Sequence, residues 1–420
     1  MTHDGGAHWR EVTPPALTPW SKVSLMEASH FDTLEAFAAV NRIRLDDLHP
    51  HVWRTRDGGR TWDEIVTGIP DDEVVNVVRE DPVRRGLLFA GTERTVYVSF
   101  DDGERWQSLR LNLPASSMRD LVVHENDLVL GTHGRSAWVL DDITPLRQLA
   151  EAGGAQDGHL FAPAPAVRVR WNTNTDTPLP PEEPAGQNPP DGAILDYYLP
   201  SAASGPVTLE VLDARGALVR RLSSDDAPEP VDSSANIPLW WVRPSQRLGT
   251  GAGMHRFVWD LHYPPPASVG HEYPIAAVPH DTPREPRGPW VLPGRYSVRL
   301  TVNGRTLTQP LSVRMDPRVH ASAADLASQL ASARRVADLM QRDYDALLAV
   351  RERRRSGGAA AGDSLASIER QLAALSRQLQ SLYETIEGAD AAPTSQALRA
   401  LAALGRDLET ALARWEVVRR

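Results

Sequence analysis

Thr55-Arg56-Asp57-Gly58-Gly59-Arg60-Thr61-Trp62 is the stretch that decides how this sequence is read. Its pattern, Ser/Thr-x-Asp-x-Gly-x-x-Trp, stands also at Thr2, Asp4, Gly6 and Trp9, and again at Ser99, Asp101, Gly103 and Trp106. The Asp residues are 53 and then 44 residues apart. A pattern recurring at about 40–50 residues has the period of a propeller blade, a four-stranded sheet that cannot bury both faces alone. Met1 lies just before the first turn, so the chain is expected to open inside a repeat array.

Each part of the pattern stabilises a turn. The Asp carboxylate accepts backbone N–H groups further along and closes an Asx-type turn, braced by the Ser/Thr hydroxyl. Gly supplies backbone angles that other residues resist. The Trp is expected to fold back over its own hairpin as an apolar lid, its N–H seeking a partner. None of these residues is placed to do chemistry.

The pattern resembles the Asp box, or BNR repeat, of sialidases, xyloglucan-type hydrolases and sortilin/Vps10 propellers. Further runs are similar to large bacterial sortilin N-terminal-like BNR-repeat proteins, often labelled glycosyl hydrolases: Arg42-Ile43-Arg44-Leu45-Asp46-Asp47, Leu88-Phe89-Ala90-Gly91-Thr92-Glu93-Arg94 and Gly131-Thr132-His133-Gly134-Arg135-Ser136. The resemblance covers nearly the whole chain and implies an exported protein, periplasmic or extracellular. It implies one or two Asp-box propellers followed by a small β domain and helices. The chain departs from that plan in having no signal peptide and few blades. The expected function is therefore a non-catalytic binding or scaffold segment that recognises a peptide, protein or glycan. The alternative is the C-terminal part of a glycoside hydrolase whose cleft lies mostly in missing blades.

Composition narrows the classes. The 420 residues have room for two or three domains, and a net charge of −10 argues against a nucleic-acid partner. With no cysteine, disulfides and thiolate chemistry are excluded. No apolar run approaches the roughly 18 residues of a membrane span.

The expected fold is mainly β plus α. A partial Asp-box propeller is read over 1–148, its last blade ending at Asp141-Asp142-Ile143-Thr144-Pro145, which lacks the box Gly and Trp. A Pro-rich linker is read over 149–192 and an immunoglobulin-like β-sandwich over 193–316, closed by a hairpin at Asn303-Gly304. The insertion at 264–289 is expected as an irregular loop. Residues 320–420 carry apolar residues at alternating steps of 3 and 4, the stripe of an antiparallel three-helix bundle with breaks at Ser356-Gly357-Gly358 and Gly388–Pro393.

Candidate chemistry is sparse. Sialidase action would need an Arg triad and a Tyr nucleophile, and Arg42-Ile43-Arg44-Leu45 lacks the Pro of the Arg-Ile-Pro run that sialidases carry. The propeller carboxylates (Asp46, Asp47, Asp71, Asp72, Glu80, Asp81, Glu93, Asp142) read as turn residues rather than as an acid/base pair. Glu93 and Arg94 on one blade, with His133 and Arg135 at the equivalent place on the next, are candidate ligand contacts. Trp240 and Trp241 are candidates for stacking on a sugar. No catalytic residue, metal site or cofactor is expected. The partner is a peptide, protein or glycan of unknown identity, besides upstream blades or another chain at the open propeller edge.

Overall fold

Runs of β-branched and aromatic residues split by Gly and Asp turns make the N-terminal strands. The computed structural model describes residues 1–152, 158–171, 176–180, 182–183, 186–228, 237–356 and 362–419. They fall into two compact units, Met1–Ala155 and Gln156–Arg420. Among the described residues the chain is mixed β sheet with four α-helices, consistent with a partial propeller and C-terminal helices.

The first unit holds three antiparallel meander sheets. Strands β1 (Lys22–Ala28), β2 (Ala36–Asn41), β3 (Val52–Thr55) and β4 (Asp63–Glu64) form the first. The second is β5 (Val75–Glu80), β6 (Leu88–Thr92), β7 (Val96–Ser99) and β8 (Gln107–Ser108). β9 (Met118–His124), β10 (Asp127–Thr132) and β11 (Ala137–Leu140) form the third, and α1 (Thr144–Ala152) follows. The middle sheet is buried on both sides, which is why successive Val77 and Val78 of β5 are both buried. Val75, Val78 and Leu88 enter a core shared with Phe37 and Val52 of the first sheet. Val77, Phe89 and Val98 enter a second core with Leu121 and Leu130 of the third.

The box Gly and Trp join successive repeats. Trp106 donates its indole N–H to the Ile65 carbonyl at 2.8 Å, and Trp62 donates to the Val12 carbonyl at 2.7 Å. Ile65 and Val12 each stand three residues after the preceding box's Trp. This corrects the expectation of a lid over the same hairpin: only Trp9, 74% exposed, bonds within its own turn, to the Gly6 carbonyl. Gly59 and Gly103 take positive φ, and a Cβ there would stand 2.6 Å from Val12 Cβ and 2.4 Å from Ile65 Cδ1. The third sheet lacks the box but keeps a backbone bond that pins the other box turns. Ile143 N–H donates to the Asn126 carbonyl, as Asp102 N–H does to Gly86 and Gly58 N–H to Leu34.

In the second unit two sheets share one core that includes Tyr197, Trp259, Val298 and Leu300. One sheet is β12 (His159–Leu160), β14 (Ala193–Leu199) and β17 (Gly253–Trp259), in the order β12-β14-β17. The other orders β13 (Ala166–Arg168), β19 (Arg305–Met315), β18 (Gly294–Val302), β15 (Thr208–Asp213) and β16 (Leu218–Ser223). β18 and β19 turn at Asn303 and Gly304, both at positive φ, as a two-residue hairpin requires. Residues 149–192, expected as a linker, supply the end of α1 and both β12 and β13, which hydrogen bond to β14 and β19. The loop over 264–289 is irregular as expected, tied by single bridges such as Glu272 to Glu285.

Helices α2 (Ala323–Ser356), α3 (Gly362–Glu387) and α4 (Ser395–Arg419) pack on one another through Leu347, Leu372, Leu379 and Leu408. The apolar rhythm missed three polar members of this interior, Gln329, Ser332 and Asp343, and placed Leu330, which is only half-buried, on the stripe. The break read at Gly357-Gly358 and parts of the Pro-rich run (Pro181, Pro184) lie outside the described residues.

Candidate functional site

The Asp-box side chains are consumed by their turns. In all three copies the Ser/Thr hydroxyl donates to the Asp carboxylate: Thr2 to Asp4 at 2.8 Å, Thr55 to Asp57 at 3.0 Å, Ser99 to Asp101 at 2.8 Å. The same hydroxyl accepts the box Gly N–H at 2.9 Å each time. The Asp in turn accepts the N–H four residues on, from His8, Thr61 and Arg105. Backbone N–H donors hold Asp4 and Asp57 down at a pKa of about 2.

Glu93 and His133 occupy the same backbone position in their two sheets. Their N–H groups donate to the carbonyls just before β5 and β9, those of Val74 and Ser117. Glu93 lies in a ladder that crosses all three sheets. Asn41 donates to Asn76 at 2.7 Å, Asn76 donates to Glu93 at 3.1 Å, and Arg119 pairs with Glu93 at 3.1 Å. Arg94 pairs with Asp72 at 2.8 Å. His133 and Arg135 are exposed, and Arg135 N–H caps Thr132. Of the propeller carboxylates named above, Glu80, Asp81 and Asp142 are buried: Glu80 accepts His30 N–H, Asp81 pairs with Arg147 at 2.9 Å and Asp142 accepts Thr144 N–H at 3.0 Å.

Trp240 and Trp241 lie in a 3-10 turn in the other unit, edge to face at 5.8 Å. Trp240 also meets His280 at 6.4 Å. The turn leads into Arg243, and that connection opens on a feature that sequence reasoning missed. A cavity of about 900 Å³ lies between the edges of β16 and β17 and the loops around 187–191, 243–248 and 278–288. These segments are far apart in sequence, and the loops are irregular, so neither periodicity nor a motif marks them. The one legible hint is the density of Pro in the loop over 264–289.

Arginines dominate the charge of the lining: Arg170, Arg220, Arg243, Arg247, Arg284 and Arg287 against Asp191, Asp226, Asp260 and Asp281. Arg243 pairs with Asp281 at 2.8 Å and approaches Asp191 at 3.7 Å, and Arg287 pairs with Glu285 at 3.0 Å. Burial pushes the carboxyls of Asp191 and Asp260 above their ordinary range, against the pull of Arg243 on the first and Arg220 on the second. Asp260 stays 44% exposed because it faces the cavity, though protein crowds it on the other sides. Behind it His262 is fully buried, packed on Trp290 at 3.9 Å and held neutral by that burial.

The wall is rigidly braced. Arg168 and Arg170 both lie 5.3 Å over the Trp290 ring, and both meet Asp390, just beyond α3. Two non-glycine residues here hold left-handed backbone, Leu261 (φ 60) between Asp260 and His262, and His280 (φ 62) on the lining. Such strain persists only where the surroundings enforce it, and it gathers at functional sites. No group of three His, Cys, Asp or Glu able to hold a metal ion occurs among the described residues. No helix there is long and apolar enough to cross a membrane.

No family model and no curated protein matches the chain. Among solved structures, YCF48 bound to D1 peptide is 14% identical at a TM-score of 0.20, over 47% of this chain and 52% of that one. The GH74 xyloglucanase from Xanthomonas campestris is 14% identical at a TM-score of 0.26, over 74% of this chain and 66% of that one. The chain thus spans about half the length of the first of these neighbours. Both likenesses are weak, and the reading of the chain rests on its own geometry.

Proposed function

We propose that this chain is a binding segment of an exported, sortilin-like BNR-repeat protein, built from Asp-box propeller blades, an immunoglobulin-like sandwich and a helical bundle. Its ligand site is the arginine-rich cavity beside β16 and β17. The observation that carries this reading is the composition of that wall: guanidinium forks, carboxylates and the half-exposed ring of Trp171 (49%) converge on one concavity. The Asp-box carboxylates are spent on their turns, and Glu93 on a ladder between sheets, so the propeller candidates serve the scaffold first. Arg94, His133 and Arg135 remain as candidate contacts of the first unit, taken by itself, for a peptide, protein or glycan.

One observation favours the second reading, glycoside hydrolysis. Asp191 and Asp260 both line the cavity, and burial raises both carboxyls, the direction that suits a general acid. Incubating the full chain with a panel of glycans and peptides, and following both binding and product by mass spectrometry, separates the two. Saturable binding with no product supports the binding segment. Product formation abolished by Asp260→Asn overturns it in favour of the hydrolase.

A further inference from the structure

The cavity's ligand is legible from which of its charges are already matched. Arg243 and Arg287 are engaged with Asp281 and Glu285, and Arg170 is held by Asp390. Arg220 is different. It stands half-buried on edge strand β16, and among the described residues its side chain makes no hydrogen bond or ion pair; its charge acts on the Asp260 carboxyl. Arg247, which also lines the cavity, is exposed, and its side chain gives one bond, to the Ser224 carbonyl at 3.2 Å. Two guanidinium groups with donors to spare line one concavity and suit a planar anion, and a carboxylate matches the fork.

The other lining groups say what carries that carboxylate. Trp171 offers a half-exposed ring, the platform on which a sugar face stacks. Asp191 and Asp260 are acceptors for hydroxyl hydrogens. A peptide adding itself as a strand to β17 would find that edge closed. Gln246 accepts the Val258 N–H at 2.9 Å and donates to its carbonyl at 3.3 Å. Resting on the binding reading above, we infer that the cavity takes a uronic-acid oligosaccharide, its carboxylate held by Arg220 and Arg247 and one sugar ring stacked on Trp171.

The test is calorimetric titration of the full chain with tetragalacturonate, with neutral galactotetraose and with a tetraglutamate peptide. The expected result is saturable binding of the uronate. Loss of one charged fork should weaken that binding at least about tenfold in Arg220→Ala, and galactotetraose should be weaker than the uronate by a similar factor. Arg247→Ala, at an exposed position, should weaken it in the same direction without disturbing the fold, which guards against a folding defect in the first variant. Equal affinity for galactotetraose, still lost in Trp171→Ala, would overturn the anionic ligand while leaving a glycan-binding cavity. Binding of the peptide alone would overturn the glycan and keep the binding site. No binding of any of the three by a folded chain would overturn this inference, while the broader panel decides the binding reading separately.

Discussion

The indole N–H of Trp106 reaches back to the carbonyl of Ile65, one repeat earlier, at 2.8 Å. The Asp box is therefore a clasp between successive repeats as well as a turn. Trp106 is 3% exposed, so removing its donor strands a buried carbonyl. Trp106→Phe should destabilise the first unit by about 1–3 kcal/mol, and Trp106→Ala by about 3–5 kcal/mol. Trp9→Ala, on the exposed copy, should stay within about 0.5 kcal/mol. Urea unfolding of the three variants checks the contrast.

The box glycines should separate backbone strain from packing. Gly6 and Gly59 both hold positive φ, but a Cβ on Gly6 meets only Trp9, at 3.8 Å, whereas one on Gly59 meets Val12 Cβ at 2.6 Å. Gly6→Ala should cost about 1–2 kcal/mol for the left-handed backbone alone. Gly59→Ala should add about 1–3 kcal/mol of overpacking to that. Equal losses in denaturant melts would mean that Val12 moves aside freely.

Much of this was legible beforehand. The strand runs, the Asn303-Gly304 hairpin and the stripe from Leu365 to Ile386 were all readable, because each is a local pattern with a local cause. The Trp clasp was not readable, since nothing in the motif says whether an indole bonds its own turn or its neighbour's. Gln329 and Asp343 escaped because an apolar rhythm counts only apolar residues. The cavity escaped for a different reason: Trp171, Arg220, Arg243 and Asp260 belong to segments brought together only by the sandwich.

Asp343 makes the helices sensitive to pH. It is fully buried on α2, with Ser376 of α3 as its polar neighbour, and burial raises its pKa to about 7. The folded state thus binds a proton that the unfolded chain, near 3.8, has released. The protonated form's stability is fully present below the unfolded value and lost as pH rises through about 7, for a total of about 4 kcal/mol by linkage. Asp343→Asn should flatten this part of the profile and melt higher than the parent at pH 8. Thermal melts between pH 4 and pH 8 provide the check.

Arg168 joins the sandwich to the helices. It is buried, donates to the Val291 carbonyl at 2.8 Å and pairs with Asp390, itself almost wholly buried. Arg168→Met should cost about 3–5 kcal/mol, because Asp390 keeps its buried charge with only Arg170 to answer it. Removing both charges, as Arg168→Met with Asp390→Leu, should restore much of that loss. A double-mutant cycle in guanidinium reads the coupling directly.

Where a ligand is held decides between the cavity and the Asp-box sheets. Amide hydrogen exchange of the full chain, with and without tetragalacturonate, reports this without any substitution. The predicted result is slowed exchange confined to β16, to residues 243–248 and to the segment around Asp260. Protection confined to the Asp-box sheets, or no protection at saturating uronate, would contradict the assignment of the cavity as the binding site.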